Sequence, residues 1–452
     1  MSDARTLTLL SSQTDFLDQL PNLGDRALFR GLLHLIERHG GCRVSHAPYK
    51  AFPHRTRDSV AATGVTPAGA LGHWAARARG YSSLRIRLED ALARALAALS
   101  GPPMNRLMQV SGLAAAVRER TGAPWPWTPV LQTRLRAHTA SAVLGQISGS
   151  DAALFSAGGQ FADHLAQAIP GRLLELFIAM AAEKPLALVN YSISLDDPLS
   201  RALAAEVLPQ ATVHLVREPR SASVLTGLGV PAERIIRSVD SAFANPTPTR
   251  GLPPEQAGRI GIMVRGDRPV DIEAWATLVE TLRRRFGVQV HYLHGCMQHD
   301  PPVRRALGRR CRLADDGRPL DLSQLRAALG RMALVITERY HGMVFAMQAG
   351  TPVVPIASTT HKTHGLAELA DYPVPVLPPP KANNLQPLLN SVSQAWTQRA
   401  ALSALGLDFA GGARAQLDRD YAELFRRLWA AAGAPARFSR PSCIPRDGGH
   451  SS

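Results

Sequence analysis

Ala333-Leu-Val-Ile-Thr-Glu-Arg-Tyr-His-Gly-Met-Val-Phe-Ala-Met-Gln-Ala-Gly350, continued by Thr-Pro-Val-Val-Pro-Ile356, is the stretch from which the fold can be read. Ala333 to Ile336 is a short apolar run of the kind that makes a buried parallel strand. Met343 to Ala349 has helical character, and Gly350 with Pro352 supplies the stop signal. Val353 to Ile356 is a second apolar run, so the stretch predicts a βαβ unit. Glu338, Arg339, Tyr340 and His341 lie between the first strand and its helix. Cations in the first turn of a helix oppose its macrodipole, and a bound anion would remove that conflict. If the backbone stays extended through Tyr340, side-chain alternation sends Arg339 and His341 to the same side. The turn reads as a grip for an acidic small molecule. The plainer alternative is an Arg and a His on a solvated connection.

The same alternation of short apolar runs and helical stretches extends in both directions. Upstream, strands are expected at Thr6–Leu10, Cys42–Pro48, Asp151–Phe155, Leu186–Asn190 and Val213–Arg217, with helices at 26–39, 172–182, 197–208 and 221–229. Lys50 to Ala70 reads as a polar loop. Helices are expected at 84–99, 106–120 and 132–146, the last two separated by the tryptophan- and proline-rich segment Ala123–Pro129, which is either an acceptor-binding lip or a packed connection. Asn245 to Pro254 carries four prolines and is the clearest linker. Beyond it the pattern restarts, with strands at 259–264 and 288–293 and helices at 272–286, 303–311 and 322–331. Helices at 366–370, 387–400 and 413–432 follow the opening stretch.

Two such runs joined by a hinge predict an α/β protein of two doubly wound Rossmann-like domains facing a cleft. The N-terminal domain is expected at 1–246, with a helical insertion about 84–147. The C-terminal domain is expected at 257–400. Helix 413–432 is expected to pack back on the first domain, and the tail 435–452 reads as disordered.

Composition narrows the function less than the pattern does. Lys and Arg total 51 against 36 Asp and Glu, a net charge of +15, which would draw in an anionic substrate, an acidic membrane surface or a nucleic acid. Four scattered cysteines with no ligand spacing point to a reducing compartment and no structural zinc. No clustered carboxylates call for a metal. The first residues have no apolar signal core, and no run approaches a membrane span. The expectation is a cytoplasmic protein, with possible peripheral contact at the inner face of an anionic membrane.

Several ordered motifs together resemble the polysaccharide pyruvyl transferases, whose fold is like that of the two-domain GT-B glycosyltransferases. Asn22-Leu-Gly24-Asp25 is similar to the family's N-x-G-D turn, and Asp151 to Gly159 to its strand and glycine-rich turn. Arg217-Glu-Pro-Arg-Ser221 is similar to R-[DE]-x-x-S, Asp240-Ser-Ala-Phe243 to D-x-A-F, and Arg339-Tyr-His-Gly342 to R-x-H-G. Lys362 takes the place of the lysine after the following strand. Ala157 departs from the usual three glycines, Tyr340 stands where leucine is common, and residues 55 to 150 show no similarity.

The resemblance implies phosphoenolpyruvate as donor, on the side of domain 257–400, a saccharide acceptor (possibly lipid-linked), on the side of domain 1–246, a pyruvate ketal and phosphate as products, and no cofactor. Arg217 and Arg339 suit the donor's carboxylate and phosphate, because planar guanidinium groups bind both in bidentate fashion. His341 is expected to bind the phosphate or donate a proton, or else to act in its neutral form as a base or hydrogen-bond donor. Lys362 is expected to hold the leaving phosphate, with Arg265 and Tyr340 as further contacts and Asn22, Gly24, Gly158 and Gly159 shaping the site. Asp25 is the candidate base on the acceptor. Plainer roles stand beside these: an interdomain ion pair for Arg217, a loop lysine at 362, a cap at Asp240, and packing at Gly158 and Gly159. The rivals in function are a nucleotide-sugar glycosyltransferase of the same architecture and a basic, non-catalytic RNA- or glycan-binding protein. Aromatic residues are only 6% of the chain, which leaves few stacking faces for a nucleic acid.

Overall fold

The computed structural model describes residues 5–11, 22–48, 66–67, 147–162, 184–196, 207–246 and 253–433 except 316, with isolated positions at 176, 201, 204 and 205. The expected helices at 84–146, most of those at 172–182 and 197–208, the segment 123–129 and the tail lie outside the described residues.

Among the described residues, two parallel sheets carry the fold. The first holds seven strands, β1 (Arg5–Ser11), β2 (Cys42–Pro48), β3 (Thr66–Pro67), β4 (Ala152–Ala162), β5 (Leu186–Ser194), β6 (Val213–Val216) and β7 (Ile235–Arg237), in the order β3-β2-β1-β4-β5-β6-β7. The second holds β8 (Arg259–Met263), β9 (Gln289–Tyr292), β10 (Leu334–Thr337) and β11 (Val353–Pro355), in the order β11-β10-β8-β9. Among the described residues all pairings within the two sheets are parallel, with Leu7 opposite both Val44 and Ala152, and Val335 opposite both Val353 and Gly261. The strands of a sheet covered on both faces need continuous apolar runs, and β10 is buried at all four positions. Burying a Leu, Val or Ile side chain contributes roughly 1.5–3 kcal/mol, so an acidic residue at Val335 or Ile336 would break the second sheet at its centre.

Strand order reverses between β1 and β4 in the first sheet and between β8 and β10 in the second. The connections leave on opposite faces there and open a crevice at the carboxyl ends of the strands. Helices start at that edge: α1 (Leu23–His39), α2 (Pro219–Gly227), α3 (Ile272–Phe286), α4 (Asp300–Gly308), α5 (Leu322–Leu329), α6 (Tyr340–Gln348) and α7 (Lys362–Leu369). Leu23 N–H donates to the Gly295 carbonyl at 3.0 Å, and Asn22 bridges Cys296, joining the two lobes beside the crevice. Gln348 Nε2 donates to the carbonyls of Ala242 and Phe243, 3.2 Å each, and joins them again behind it.

Several local expectations need correction. Thr66–Pro67 pairs with β2 inside the stretch expected as a loop. The run expected to end at Phe155 continues to Ala162, so Gly158 and Gly159 lie in a strand that shifts register between Gly158 and Phe161 rather than in a turn after it. Gly158 has φ 55, a left-handed conformation that favours glycine there. Helix α6 begins at Tyr340, three residues before Met343, because Arg339 with φ −97 and ψ 121 is its N-cap. At the C-terminus, α8 (Gln386–Thr397) is followed by α9 (Arg399–Ala432), a single 34-residue helix where the sequence marks only 413–432. Its first turns pack on α6, with Gly406 against Met347, and its end reaches α1, where Trp429 Nε1 donates to the Gly40 carbonyl at 2.9 Å.

Candidate active site

A hollow of about 460 Å³, open to solvent, lies between the lobes. Asn22 and Gly24 line it from the first lobe; Arg265, Arg339, Tyr340, His341 and Lys362 line it from the second. Met263, Asp267, Gly295, Glu338, Gly342 and Phe345 complete the wall. Arg217, Asp25 and Gly159 stand directly behind it. An ideal Cβ on Gly159 would lie 3.6 Å from both Arg217 Nη2 and Lys362 Nζ, an ordinary contact distance, so cations of both lobes come together beside this residue. Gly158 is buried within its bulge and is not part of the wall.

Three helix N-termini face this space. Asn22 caps α1 by accepting from Gly24 N–H at 3.0 Å, Arg339 is the N-cap of α6, and Lys362 is the first residue of α7. Their unsatisfied N–H groups and partial positive charges make the hollow favourable to an anion. Carboxylates of the protein also meet the local cations. Arg339 donates through Nε at 3.1 Å and through Nη2 to Asp300, a residue 0% exposed. Asp300 also accepts from the N–H groups of Gly295 and Cys296, at 2.8 Å each, and of Gly266 at 3.2 Å. Arg265 binds both oxygens of Asp267, at 3.0 and 2.6 Å. Arg268 pairs with Glu338 at 2.9 Å.

Arg217 is buried and meets Asp240 of its own lobe at 2.6 Å, so it is not the interdomain ion pair weighed from sequence. Its Nε donates to Ser192 at 2.9 Å, and its guanidinium carbon lies 4.7 Å from the ring centre of Tyr340. The link across the cleft is therefore a cation–π contact. Asp240 serves as a cap and as a counter-ion at once: Oδ1 accepts from Ala242 N–H at 2.8 Å, while Oδ2 faces Arg217 and stands 3.5 Å from His341 Nε2. Burial alone would raise its carboxyl, but His341 and Arg217 hold it well below the usual range. Because α6 starts at Tyr340, Arg339 and His341 do not share a direction. Arg339 turns to Asp300 in the second lobe, and His341 turns to Asp240 and Gly24 in the first.

Lys362 is the exception to this pairing. Among the described residues it has no carboxylate within ion-pair distance, and its Nζ lies 5.9 Å from the Tyr340 ring centre. Burial, followed by the charges of Arg217 and Arg265, pushes its ammonium down to about 7. Asp25 is the complementary case: burial raises its carboxyl, and His341, Lys362 and Arg217 only partly offset that. Sequence reading passed over Asp300, Asp267, Ser192 and Asn190. Asn190 holds φ 60 in a register shift of β5, and its Oδ1 accepts from Ser241 N–H at 3.0 Å, which sets the turn carrying Asp240. A buried strand with an internal Asn was the available signal for that residue; for Asp300, 39 positions from its arginine, there was none.

The solved structures that this chain resembles share the two-lobed plan. An Anabaena protein, Alr3699/HepE, solved in complex with UDP, aligns over 94% of this chain and 100% of its own at 12% identity, with a TM-score of 0.51. A UDP-N-acetylglucosamine 2-epimerase aligns over 98% of this chain and 100% of its own at 14% identity, with a TM-score of 0.52. At such identities the likeness establishes the fold alone, a GT-B-type α/β arrangement. No curated protein sequence matches the chain. The family description "Polysaccharide pyruvyl transferase" matches residues 22–360, which span every wall residue of the hollow from Asn22 to Phe345 and stop two short of Lys362. The chain belongs to the polysaccharide pyruvyl transferase family.

Proposed function

We propose that the protein moves a pyruvyl group from phosphoenolpyruvate to two hydroxyls of a saccharide in cell-surface or exopolysaccharide synthesis, forming a pyruvate ketal and releasing phosphate. The observation that carries this reading is the meeting of helix N-termini with oriented cations in one hollow. Each arginine is anchored to a carboxylate through some of its N–H groups, buried for Arg217, Arg268 and Arg339 and exposed for Arg265, which leaves the others held in fixed directions. Preorganised donors of this kind bind a carboxylate and a phosphate without having to reorganise first.

In the reaction, a proton adds to the methylene carbon and a sugar oxygen attacks the adjacent carbon. Phosphate then leaves, and the second hydroxyl closes the ketal. The methyl group gains one proton and phosphate another, equal in number to the two that the hydroxyls lose, so the sum balances. Arg339 and Arg265 are assigned to the donor's anionic groups, with Arg217 acting from behind Tyr340. Asp25, whose raised carboxyl suits proton transfer, is assigned to the acceptor hydroxyl. The acceptor approaches from the first lobe, past Asn22 and Gly24. Donor and acceptor suffice in this scheme, with no cofactor.

The test is inorganic phosphate release from phosphoenolpyruvate in the presence of candidate glycans, wild type against Arg339→Ala. Glycan-dependent release that falls at least a hundredfold in the variant is expected. Unchanged turnover would remove the role assigned to this turn, and release driven by nucleotide sugars instead would replace the donor.

A further inference from the structure

Around the hollow, each cation but one faces a carboxylate of its own. Arg217 has Asp240, Arg265 has Asp267, Arg268 has Glu338, and Arg339 has Asp300. On the neighbouring turn His361 meets Glu218 at 3.1 Å. Lys362 alone has no such partner among the described residues, although it sits at a helix N-terminus that also disfavours a cation. The groups facing it are Arg217 from the end of β6, Arg265 from the end of β8, Arg339 and Tyr340 from α6, and Asp25 from α1. Three of these five are positive and one is negative. An ammonium so placed holds its proton loosely while the hollow is empty. A dianionic or trianionic ligand beside it reverses that balance, because an opposite charge within a few ångströms favours the charged form.

We infer that Lys362 is the proton donor to the methylene carbon of the enolpyruvyl group, and that donor binding itself loads the proton. This rests on the proposed phosphoenolpyruvate reading. In the step an Nζ–H bond breaks and a C–H bond forms at the methylene carbon. The positive charge left on the adjacent carbon is captured by the acceptor oxygen, whose proton passes to Asp25. Asp25 releases that proton to solvent, and the amine is reprotonated from solvent when the next donor binds. An arginine at 362 would keep the charge that holds phosphate but would not release a proton, since a guanidinium stays protonated in proteins.

The experiment is calorimetric titration of phosphoenolpyruvate into the full chain at pH 8, in buffers of different ionisation enthalpy, for wild type, Lys362→Arg and His341→Gln. Wild type is expected to take up about one proton per site, as an amine titrating near 7 must when it becomes charged. Lys362→Arg is expected to bind with no uptake and to lose turnover by about 10²–10⁴-fold, the usual worth of a general acid. Binding without uptake in wild type would overturn the inference. So would uptake lost in His341→Gln but kept in Lys362→Arg, or a Lys362→Arg enzyme with ordinary turnover. Absence of binding and turnover in wild type would instead overturn the donor assignment on which it rests.

Discussion

The imidazole of His341 occupies the space in which a side chain at residue 24 would begin. An ideal Cβ on Gly24 would lie under 3.0 Å from His341 Nδ1, Cγ and Cβ, although the two residues belong to different lobes. The glycine of the first-lobe turn is thus a receiving surface for the histidine of the second. Gly24→Ala is expected to push the lobes or the imidazole apart. Overpacking of this kind costs ~1–3 kcal/mol, and a displacement near 1 Å at a reacting group costs about a hundredfold in rate. Thermal melts alongside phosphate release will separate the two effects; a variant with wild-type turnover would show that His341 need not sit there.

Asp300 should matter to both stability and donor binding. Asp300→Ala strands the Arg339 charge and leaves three backbone N–H groups without their acceptor. Breaking a buried pair from one side costs ~3–5 kcal/mol, readable as a lowered denaturant midpoint. Asp300→Asn keeps an acceptor for the backbone but not the counter-charge, so its fold should largely recover while its KM for the donor stays raised at least tenfold.

Arg217 and Asp240 are expected to behave as one unit. A double-mutant cycle with Arg217→Met and Asp240→Asn should give a coupling of ~2–3 kcal/mol, near the upper end for residues in one network. Asp240→Asn also removes the carboxylate that faces His341, so its turnover should fall as well. Additive effects in the cycle would mean that the two residues act separately.

Below neutrality, one buried histidine should tilt stability. His214 is 0% exposed, donates from Nε2 to the Leu208 carbonyl at 2.9 Å and accepts from the Tyr191 hydroxyl at 2.6 Å. Burial lowers its pKa to about 4 in the fold, against roughly 6.5 in the unfolded chain. The unfolded state therefore binds the extra proton, and stability falls as pH drops from about 6.5 to 4, by about 3 kcal/mol at most, with no further loss from this group below that. His214→Gln should flatten this part of the curve in urea titrations across pH; an unchanged slope would assign it to other groups.

Much of the architecture could be read directly from the chain. The apolar runs at 333–336 and 353–356 are strands or their immediate edges, and Gly350, with φ 66, closes α6 as its position promised. Seven of the residues singled out from sequence share the wall of the hollow. Errors fell where a local rule met a nonlocal demand. Gly158 and Gly159 looked like a turn because glycine usually ends a strand, yet pairing with β5 carries the strand on to Ala162. Arg339 and His341 looked parallel because an extended backbone was assumed, whereas the cap at Arg339 starts the helix at once and sends them apart.

The sequence by itself determined where strands and helices alternate, and hence that cationic side chains gather at the carboxyl ends of two parallel sheets, because periodicity and capping act over a few residues. Only the tertiary structure decided which of those charges are already neutralised. Partners such as Arg217 and Asp240, or Arg339 and Asp300, lie 23 and 39 residues apart, and His341 reaches Asp240 across the lobes. Charge pairing depends on distance in space and on exclusion of water, and neither is written in the spacing of residues along the chain.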